Sequence, residues 1–395
     1  MKDPLILELI ETRYLQRMRR INQLGLTHMV YPSAHHTRFS HAIGAMYLMN
    51  IALDTLISKG NVITQQEKQA ALIAILLHDI GHGPYSHALE NIILEVHHEK
   101  LSLEFMTILN DQFQGKLSMA IEIFKGDYQK KFLHQLVSSQ FDMDRLDYLK
   151  RDSFNTGVIE GDINSLRLLS MLDIVEDELV IDIKGIYSVE KFIFARRFMY
   201  WQVYLHKTST STEVILKNIF RRAKELVKEG FDLPSDGIGF FLRNNNDKAF
   251  LDENKQNTLE AFSHIDDSDI MCLVKKWQYA EDLILSKLSS MLINRKLFKT
   301  KISSTPFDLE KIEDVKKRIG DKYGITLEQS SYFIGQIEAR NTCNIKDSIK
   351  FLDENNNLIN MCDVSQHYKF ICNSTDEVKY ILYFPKDFLP IIDIF

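Results

Sequence analysis

The chain has 395 residues, 45% of them hydrophobic and 26% charged, with a formal net charge of −6. This length exceeds one ordinary domain, and these fractions belong to a chain that buries a core and is not disordered. The acidic balance argues against duplex nucleic acid as the main partner, although it does not exclude nucleic acid or a local basic pocket for a small phosphorylated ligand.

The opening Met1-Lys2-Asp3-Pro4 contains an acidic residue and leads into no long apolar run, so a signal peptide is not expected. From Leu5 to about Leu168 the apolar spacing is helical, as in Leu5, Leu9 and Ile10, then Ala42, Ala45, Met46 and Met49. Two segments break it: Tyr31-Pro32-Ser33, and Gly81-His82-Gly83-Pro84, which follows the apolar run Ala70 to Leu77 and cannot continue a regular helix. That run is too short to span a bilayer, and a soluble, cytoplasmic chain without membrane contact is expected. Leu179, Val180, Ile181 and Ile183 predict a short strand within 176–183, with a turn at Lys184-Gly185. Helix is predicted from about Val189 to Val227 and again from Leu259 to Leu297, with a polar loop at Asn244 to Asp247 between them. After Ser303, strands are predicted at Tyr332-Phe333-Ile334, Ser348 to Leu352 and Tyr380 to Phe384, with turns at Asn355-Asn356-Asn357 and Pro385-Lys386-Asp387. The fold class is therefore mainly α, a helical body with a smaller C-terminal α+β unit. Cys272, Cys343, Cys362 and Cys372 form no C-x-x-C pair, so neither a disulfide framework nor a zinc ribbon is expected.

Eight of the 13 histidines fall between His35 and His98. His78-Asp79 ends the apolar run, and a buried helix that delivers an imidazole and a carboxylate at its last turn is costly unless something compensates them. A divalent metal accepts both donor types. His41, at the start of a helix, and Asp144, in a second helical segment, would complete a set of two imidazoles and two carboxylates with positions left open for water and substrate. His82, His87 and His98 follow on or after the broken segment, placed to donate to phosphate oxygens or a leaving group. Arg17, Arg19 and Arg20 read equally as a solvated helix face or an effector site. His35 and His36 read as exposed loop residues. His28, His134, His264 and His367 have no companions.

A longer series of segments runs through the first half of the chain: Glu11-Thr12 with Gln16-Arg17-Met18-Arg19, Gln23-Leu24-Gly25, Tyr31-Pro32, Arg38-Phe39-Ser40-His41, Leu77-His78-Asp79-Ile80-Gly81-His82-Gly83-Pro84-Tyr85-Ser86-His87, His98-Glu99, Asp142-Met143-Asp144-Arg145-Leu146-Asp147-Tyr148 and Arg151-Asp152. In order and spacing these segments resemble the HD superfamily, over roughly residues 3 to 225. Within it they resemble the deoxynucleoside triphosphate triphosphohydrolases that carry a sterile-alpha-motif domain in animals, and their bacterial relatives.

The resemblance implies that His41, His78, Asp79 and Asp144 ligate one divalent metal ion, Mn, Fe, Mg or Zn. It implies that His82, His87 and His98 act on the phosphate side, with Glu90 supporting His87 as the proton donor. Arg38 and Arg196 would contact phosphate and Arg145 the substrate; Gln23 would bind the sugar 3′-hydroxyl, Leu24 would crowd out a ribose 2′-hydroxyl, Tyr148 and Asp152 would touch the sugar, and Tyr204 would lie beside the sugar or base. It further implies an HD-domain catalytic core at 1–170, a helical extension at 171–300 that completes the pocket and forms an oligomer interface, and the α+β unit at 301–395. The chain would be a homo-oligomer, dimer or tetramer, with a nucleotide effector at the subunit interface. Arg19 and Lys207 match effector positions, whereas the upstream strand and the sterile-alpha-motif domain have no counterpart and the segment after Asp152 lacks the histidines of the animal enzymes. The expected activity is hydrolysis of a deoxynucleoside triphosphate to deoxynucleoside and triphosphate. The alternatives are an HD phosphohydrolase acting on another nucleotide, a phosphodiester or a single-stranded nucleic-acid end, and a nucleotide-responsive assembly module without catalysis.

Overall fold

Asp3 starts the first helix, α1 (Pro4–Glu11). Its carboxylate accepts the backbone N–H of Leu5 at 3.0 Å and of Ile6 at 3.2 Å, and Pro4 stands at the first helical position, where a missing N–H costs nothing. In this computed structural model the described residues are 3–244, 246–341, 349–365 and 377–388. A short α2 (Arg13–Arg17) and two 3-10 turns lead to α3 (Arg38–Ser58), which Thr37 caps through the N–H of Ser40. α4 (Gln65–Leu77) opens on a capping box between Thr64 and Glu67, packs on α3, and is buried at Ala70, Ala71 and Ile73 to Leu77. A helix enclosed on nearly every side needs no polar face, which is why its sequence reads as an unbroken apolar run. α5 (Ser86–Ile93), α6 (His98–Gln112), α7 (Ser118–Lys125), α8 (Lys131–Val137), α9 (Met143–Thr156) and α10 (Ser165–Ser170) complete the helical region expected up to Leu168.

β1 (Leu172–Val175) and β2 (Glu178–Asp182) form an antiparallel hairpin closed by Glu176 and Asp177, both at positive φ. Sequence reading finds only the second strand, because a Glu-Asp turn lacks the glycine or asparagine that marks most such turns. The stretch expected as one helix over 189–227 is two, α11 (Ile186–Met199) and α12 (Lys207–Lys228), parted by a π-helical turn over Tyr200–Tyr204. After α13 (Gly239–Arg243) and α14 (Lys248–Glu253), the second long helical stretch is also divided. It comprises α15 (Lys255–His264), α16 (Asp267–Trp277) and α17 (Leu283–Ile293), since Asp266 and Asp282 each cap a new helix.

β3 (Lys299–Ser303), α18 (Leu309–Tyr323), β4 (Gly335–Asn341), β5 (Lys350–Leu352), β6 (Leu358–Asn360) and β7 (Glu377–Phe384) follow. β7 pairs antiparallel with both β3 and β4. β5 pairs parallel with β2, Phe351 opposite Ile181, so one sheet has the order β1-β2-β5-β6. The expected boundary at 300/301 falls inside β3, and the β1-β2-β5-β6 sheet draws strands from both sides of it. Tyr332-Phe333-Ile334, expected as a strand, is instead the buried approach to β4. Ser348, Cys343, Cys372 and His367 lie outside the described residues. The architecture is mainly α with small sheets, as expected. Among the described residues no helix is long and apolar enough to cross a membrane.

Candidate active site

Three helices bring the first group together. His41 projects from the first turn of α3, His78 and Asp79 leave the end of α4, and Asp144 sits in the first turn of α9. One ligand atom each from His41, His78 and Asp144 falls within 4.8 Å of the others. Asp144 Oδ1 lies 3.0 Å from His41 Nε2 and 3.5 Å from His78 Nε2, and Asp79 Oδ1 lies 3.3 Å from His78 Nε2. Asp79 is also shared with a second group, Asp79, His82 and His98.

The imidazoles are held by their other nitrogens. His41 Nδ1 is 2.8 Å from Asp147 Oδ2, and His78 Nδ1 is 2.6 Å from the carbonyl oxygen of Ile75. An acceptor on Nδ1 fixes the proton there and leaves the Nε2 lone pair exposed to the group's interior. Both Nε2 atoms are buried, close to carboxylates, and without a properly aligned hydrogen bond. Two imidazole lone pairs facing two carboxylates repel one another unless a cation lies between them, so this donor set fits a divalent metal. The surrounding carboxylates demand positive charge at this point, which a proton or a metal ion supplies. Burial opposes a charged His41, yet Asp144 and Asp147 push it up to about 10. Burial likewise opposes the Asp79 charge, and His78, His82 and Arg38 hold that carboxyl well below the usual range. Asp147 is a positioning residue that sequence reading did not single out. Its signal is the i+3 spacing from Asp144, which puts both on one helix face. Gly44 makes room for it: a Cβ there would lie 2.0 Å from Asp147 Oδ1 and 2.1 Å from Arg151 Nη2.

The phosphate-side loop turns sharply against α6. The N–H of Gly81 donates to Ser102 Oγ at 2.9 Å, and a Cβ at Gly81 would meet two backbone atoms, His98 O and Ser102 N, each at 2.3 Å. Gly81→Ala is therefore expected to cost about 1–3 kcal/mol and to part the loop from α6, measured as a lower urea midpoint together with lost activity. An unchanged midpoint would refute the close approach. The turn stacks the rings of His82 and His98 with centroids 3.8 Å apart. Glu90, expected to support His87, holds His98: its Oε1 lies 2.8 Å from His98 Nδ1 and accepts the His98 N–H at 2.9 Å. Despite burial, His98 draws Glu90 down to about 2. The His87 side chain lies outside what the structure describes. Arg38 is buried, and its Nη1 donates to Asp79 Oδ2 at 2.8 Å.

A cavity of about 460 Å³ opens over these groups. Of the residues expected there, the structure places Gln23, Leu24, Arg38, Tyr148, Asp152 and Tyr204 on its wall with Asp79, His82, His98 and Asp144. Arg145 and Arg196 are not among the lining residues: Arg145 pairs with Asp142, and Arg196 Nη1 donates to Gln140 Oε1 at 2.8 Å. Tyr204 OH donates to Asp152 Oδ2 at 2.8 Å, and His36 Nε2 lies 2.6 Å from Asp152 Oδ1. The His36 side chain is thus buried, not exposed as its loop position suggested. Tyr200, Leu205, Thr27 and Glu213 also line the cavity and were not foreseen. The π-helical turn carries Tyr200 and Tyr204, and its departure from α-helical spacing hides them from periodicity. Arg17, read in the sequence as a solvated or effector residue, is 1% exposed, and its Nη groups donate to the carbonyls of Ile80, His82, Phe262 and Ile265.

Residues 38–149 match the model of the HD domain family, and residues 163–235 match that of the HD associated region. An uncharacterized protein of Bacillus subtilis is 37% identical over 304 residues, 75% of this chain and 68% of that protein. A deoxynucleoside triphosphate triphosphohydrolase homolog of Dictyostelium discoideum is 29% identical over 243 residues, which span 56% of this chain and 47% of that relative. The crystal structure of a phosphohydrolase from Bacteroides thetaiotaomicron superposes with a TM-score of 0.94 at 43% identity, covering 98% of this chain and 99% of that one.

Proposed function

The chain belongs to the HD-domain superfamily of phosphohydrolases, and from that premise we propose that it hydrolyses deoxynucleoside triphosphates to deoxynucleoside and triphosphate. One observation carries the hydrolytic reading: the His41 and His78 Nε2 atoms face Asp144 and Asp79 without aligned hydrogen bonds, while their Nδ1 atoms are tied down. These four side chains would hold one divalent ion, which when bound supplies a Lewis acid and lowers the pKa of its water. Arg38, oriented by Asp79, binds nonbridging phosphate oxygens. Burial and the nearby Arg38 charge keep His82 neutral, so it meets phosphate as a hydrogen-bond partner and adds no charge. Because Glu90 holds His98 by Nδ1, His98 offers Nε2 to the cavity and takes the proton-donor role first expected of His87.

The substrate class is supported by the size of the cavity, which suits a nucleotide-sized ligand, by Gln23 and Leu24 on its wall, and by similarity to the Dictyostelium deoxynucleoside triphosphate triphosphohydrolase homolog. A homo-oligomer, dimer or tetramer, that responds to a nucleotide effector belongs to the same proposal, and sedimentation with and without nucleotides checks it. The deciding experiment incubates the protein with each deoxynucleoside and ribonucleoside triphosphate and Mn²⁺ or Mg²⁺, and identifies products by phosphorus NMR. Tripolyphosphate from the deoxy series alone supports the proposal and is the selectivity expected if Leu24 crowds out a ribose 2′-hydroxyl. No cleavage, even with mixed deoxynucleotides as activators, rejects that substrate and moves the test to diesters and single-stranded ends.

A further inference from the structure

The π-helical turn that carries Tyr200 and Tyr204 is held by segments far away in the chain. Both tyrosines line the cavity, their rings edge to face with centroids 5.3 Å apart. Such turns are rare and gather at functional sites, where contacts from elsewhere keep them from relaxing to α-helical spacing. Tyr31 supplies one contact, its OH donating to the carbonyl of Gln202. β7 supplies the others. Trp201 Nε1 donates to Glu377 Oε2 at 2.8 Å, and Arg197 Nη2 donates to the same oxygen at 3.2 Å. The Lys379 ammonium lies over the Trp201 ring, 3.7 Å from its centroid, and pairs with Glu377 Oε1 at 3.1 Å. Glu377 and Lys379 stand two apart on the strand, so both face the same way. β7 is itself fixed on both sides by β3 and β4. A lone ion pair at this exposure would be weak, but four side chains that share one carboxylate and one indole form a network. Despite burial, Lys379, Trp201 and Arg197 hold the Glu377 carboxyl below the usual range. Among the described residues none of β7 lines the cavity, so the strand can act on it only through Trp201 and its neighbours.

We propose that Glu377 is a positioning residue for the cavity: by fixing the Trp201 indole it sets the π-helical turn so that Tyr200 and Tyr204 present their rings to the substrate. This inference rests on the nucleotide reading above, and it gives the C-terminal sheet a part in substrate binding. His41, His78, Asp79, Asp144, His82 and His98 stand on other elements. Loosening the turn therefore weakens binding while the reaction of a substrate once held goes on, which separates KM from kcat.

The test pairs steady-state kinetics with tryptophan emission. The chain has two tryptophans, and the other, Trp277, is fully buried and donates to the carbonyl of Pro234 at 2.9 Å. A shift in emission on changing Glu377 thus reports Trp201, and Trp201→Phe identifies its share of the spectrum. Kinetics follow tripolyphosphate release from an equimolar mixture of the four deoxynucleoside triphosphates with Mn²⁺. Glu377→Ala is expected to move the Trp201 emission to longer wavelength and to raise the apparent KM roughly fivefold, with kcat and metal content within about twofold of the wild type. Trp201→Phe, which keeps a ring and loses the donor, should raise KM by a similar factor. Glu377→Gln keeps an acceptor oxygen for the indole N–H, so it should recover most of the wild-type KM, and it guards against a folding defect in the other variants. An unshifted emission, or a KM within about twofold of the wild type in Glu377→Ala, overturns the role of Glu377 and leaves the nucleotide reading intact. A fall in kcat and metal content at unchanged KM does the same, since it marks a contact that supports the fold alone. A wild type that cleaves no nucleotide overturns both.

Discussion

Asp144→Ala is expected to emerge from purification with its metal lost and its turnover reduced by at least about a hundredfold, and His78→Ala likewise. The Asp144 variant is the cleaner of the two. Its side chain is 27% exposed in the first turn of α9, so alanine suits the helix and opens no core cavity. His78 is buried, and its removal also costs packing. Metal content by mass spectrometry and unfolding with and without chelator separate a lost ligand from a damaged fold. Chelator should lower the midpoint of the wild type, because an ion that binds only the native state stabilises it, and should leave Asp144→Ala where it was. Asp147→Asn provides the graded case. It disturbs the His41 Nδ1 contact without removing a ligand, and a loss of about 10–100-fold in metal affinity is expected. Full metal occupancy in both alanine variants would rule out the ligand assignment.

Sequence reading reached this group because its cost is written locally. His78-Asp79 closes a wholly apolar run, and a charged pair at that place demands a partner whatever the tertiary fold. The helical body was legible for the same reason, through spacing and through the Gly81 to Pro84 break. What escaped depends on contacts between distant segments. Glu90 and His98 meet only after α5 and α6 are placed, so their contact could not be read beforehand. Glu213 sits on α12 far from every motif, and it becomes a wall of the cavity only through packing against the segment that carries Gln23. The hairpin β1–β2 continues into β5, about 170 residues later, a parallel pairing that no local pattern encodes. Arg145 and Arg196, expected to touch substrate, pair in this structure with Asp142 and Gln140, and the second of these contacts depends on how distant segments pack.

Arg17 illustrates how a residue remote from the chemistry can govern it, and Arg17→Met is expected to lower stability by on the order of 4 kcal/mol. The guanidinium joins two parts of the molecule. Nη2 donates to Ile80 O at 3.2 Å and His82 O at 2.7 Å, while Nη1 donates to Phe262 O at 3.3 Å and Ile265 O at 3.1 Å. Its plane also lies over the Phe262 ring, 5.2 Å from the centroid. Burial brings Arg17 down to about 10, still well above neutral pH, so the cation persists and its charge is spread over the four carbonyls. Methionine fills the volume but leaves those carbonyls without this donor, and orphaned buried acceptors cost about 1–3 kcal/mol each before relaxation recovers part of it. Arg17→Lys keeps the charge, yet one ammonium cannot span both pairs of carbonyls as a planar fork does. In that variant the His82 loop loosens while His41, His78 and Asp144, anchored on other helices, keep their places. Metal content should then remain near that of the wild type while kcat falls by about 10–100-fold, the penalty of a small misplacement of a phosphate-side group. Denaturant unfolding of the methionine variant and the metal-to-kcat comparison in the lysine variant test the two halves separately. A methionine variant as stable as the wild type would show that Arg17 does not hold the loop, and a lysine variant that lost metal and turnover together would show that it supports the whole site and not His82 in particular.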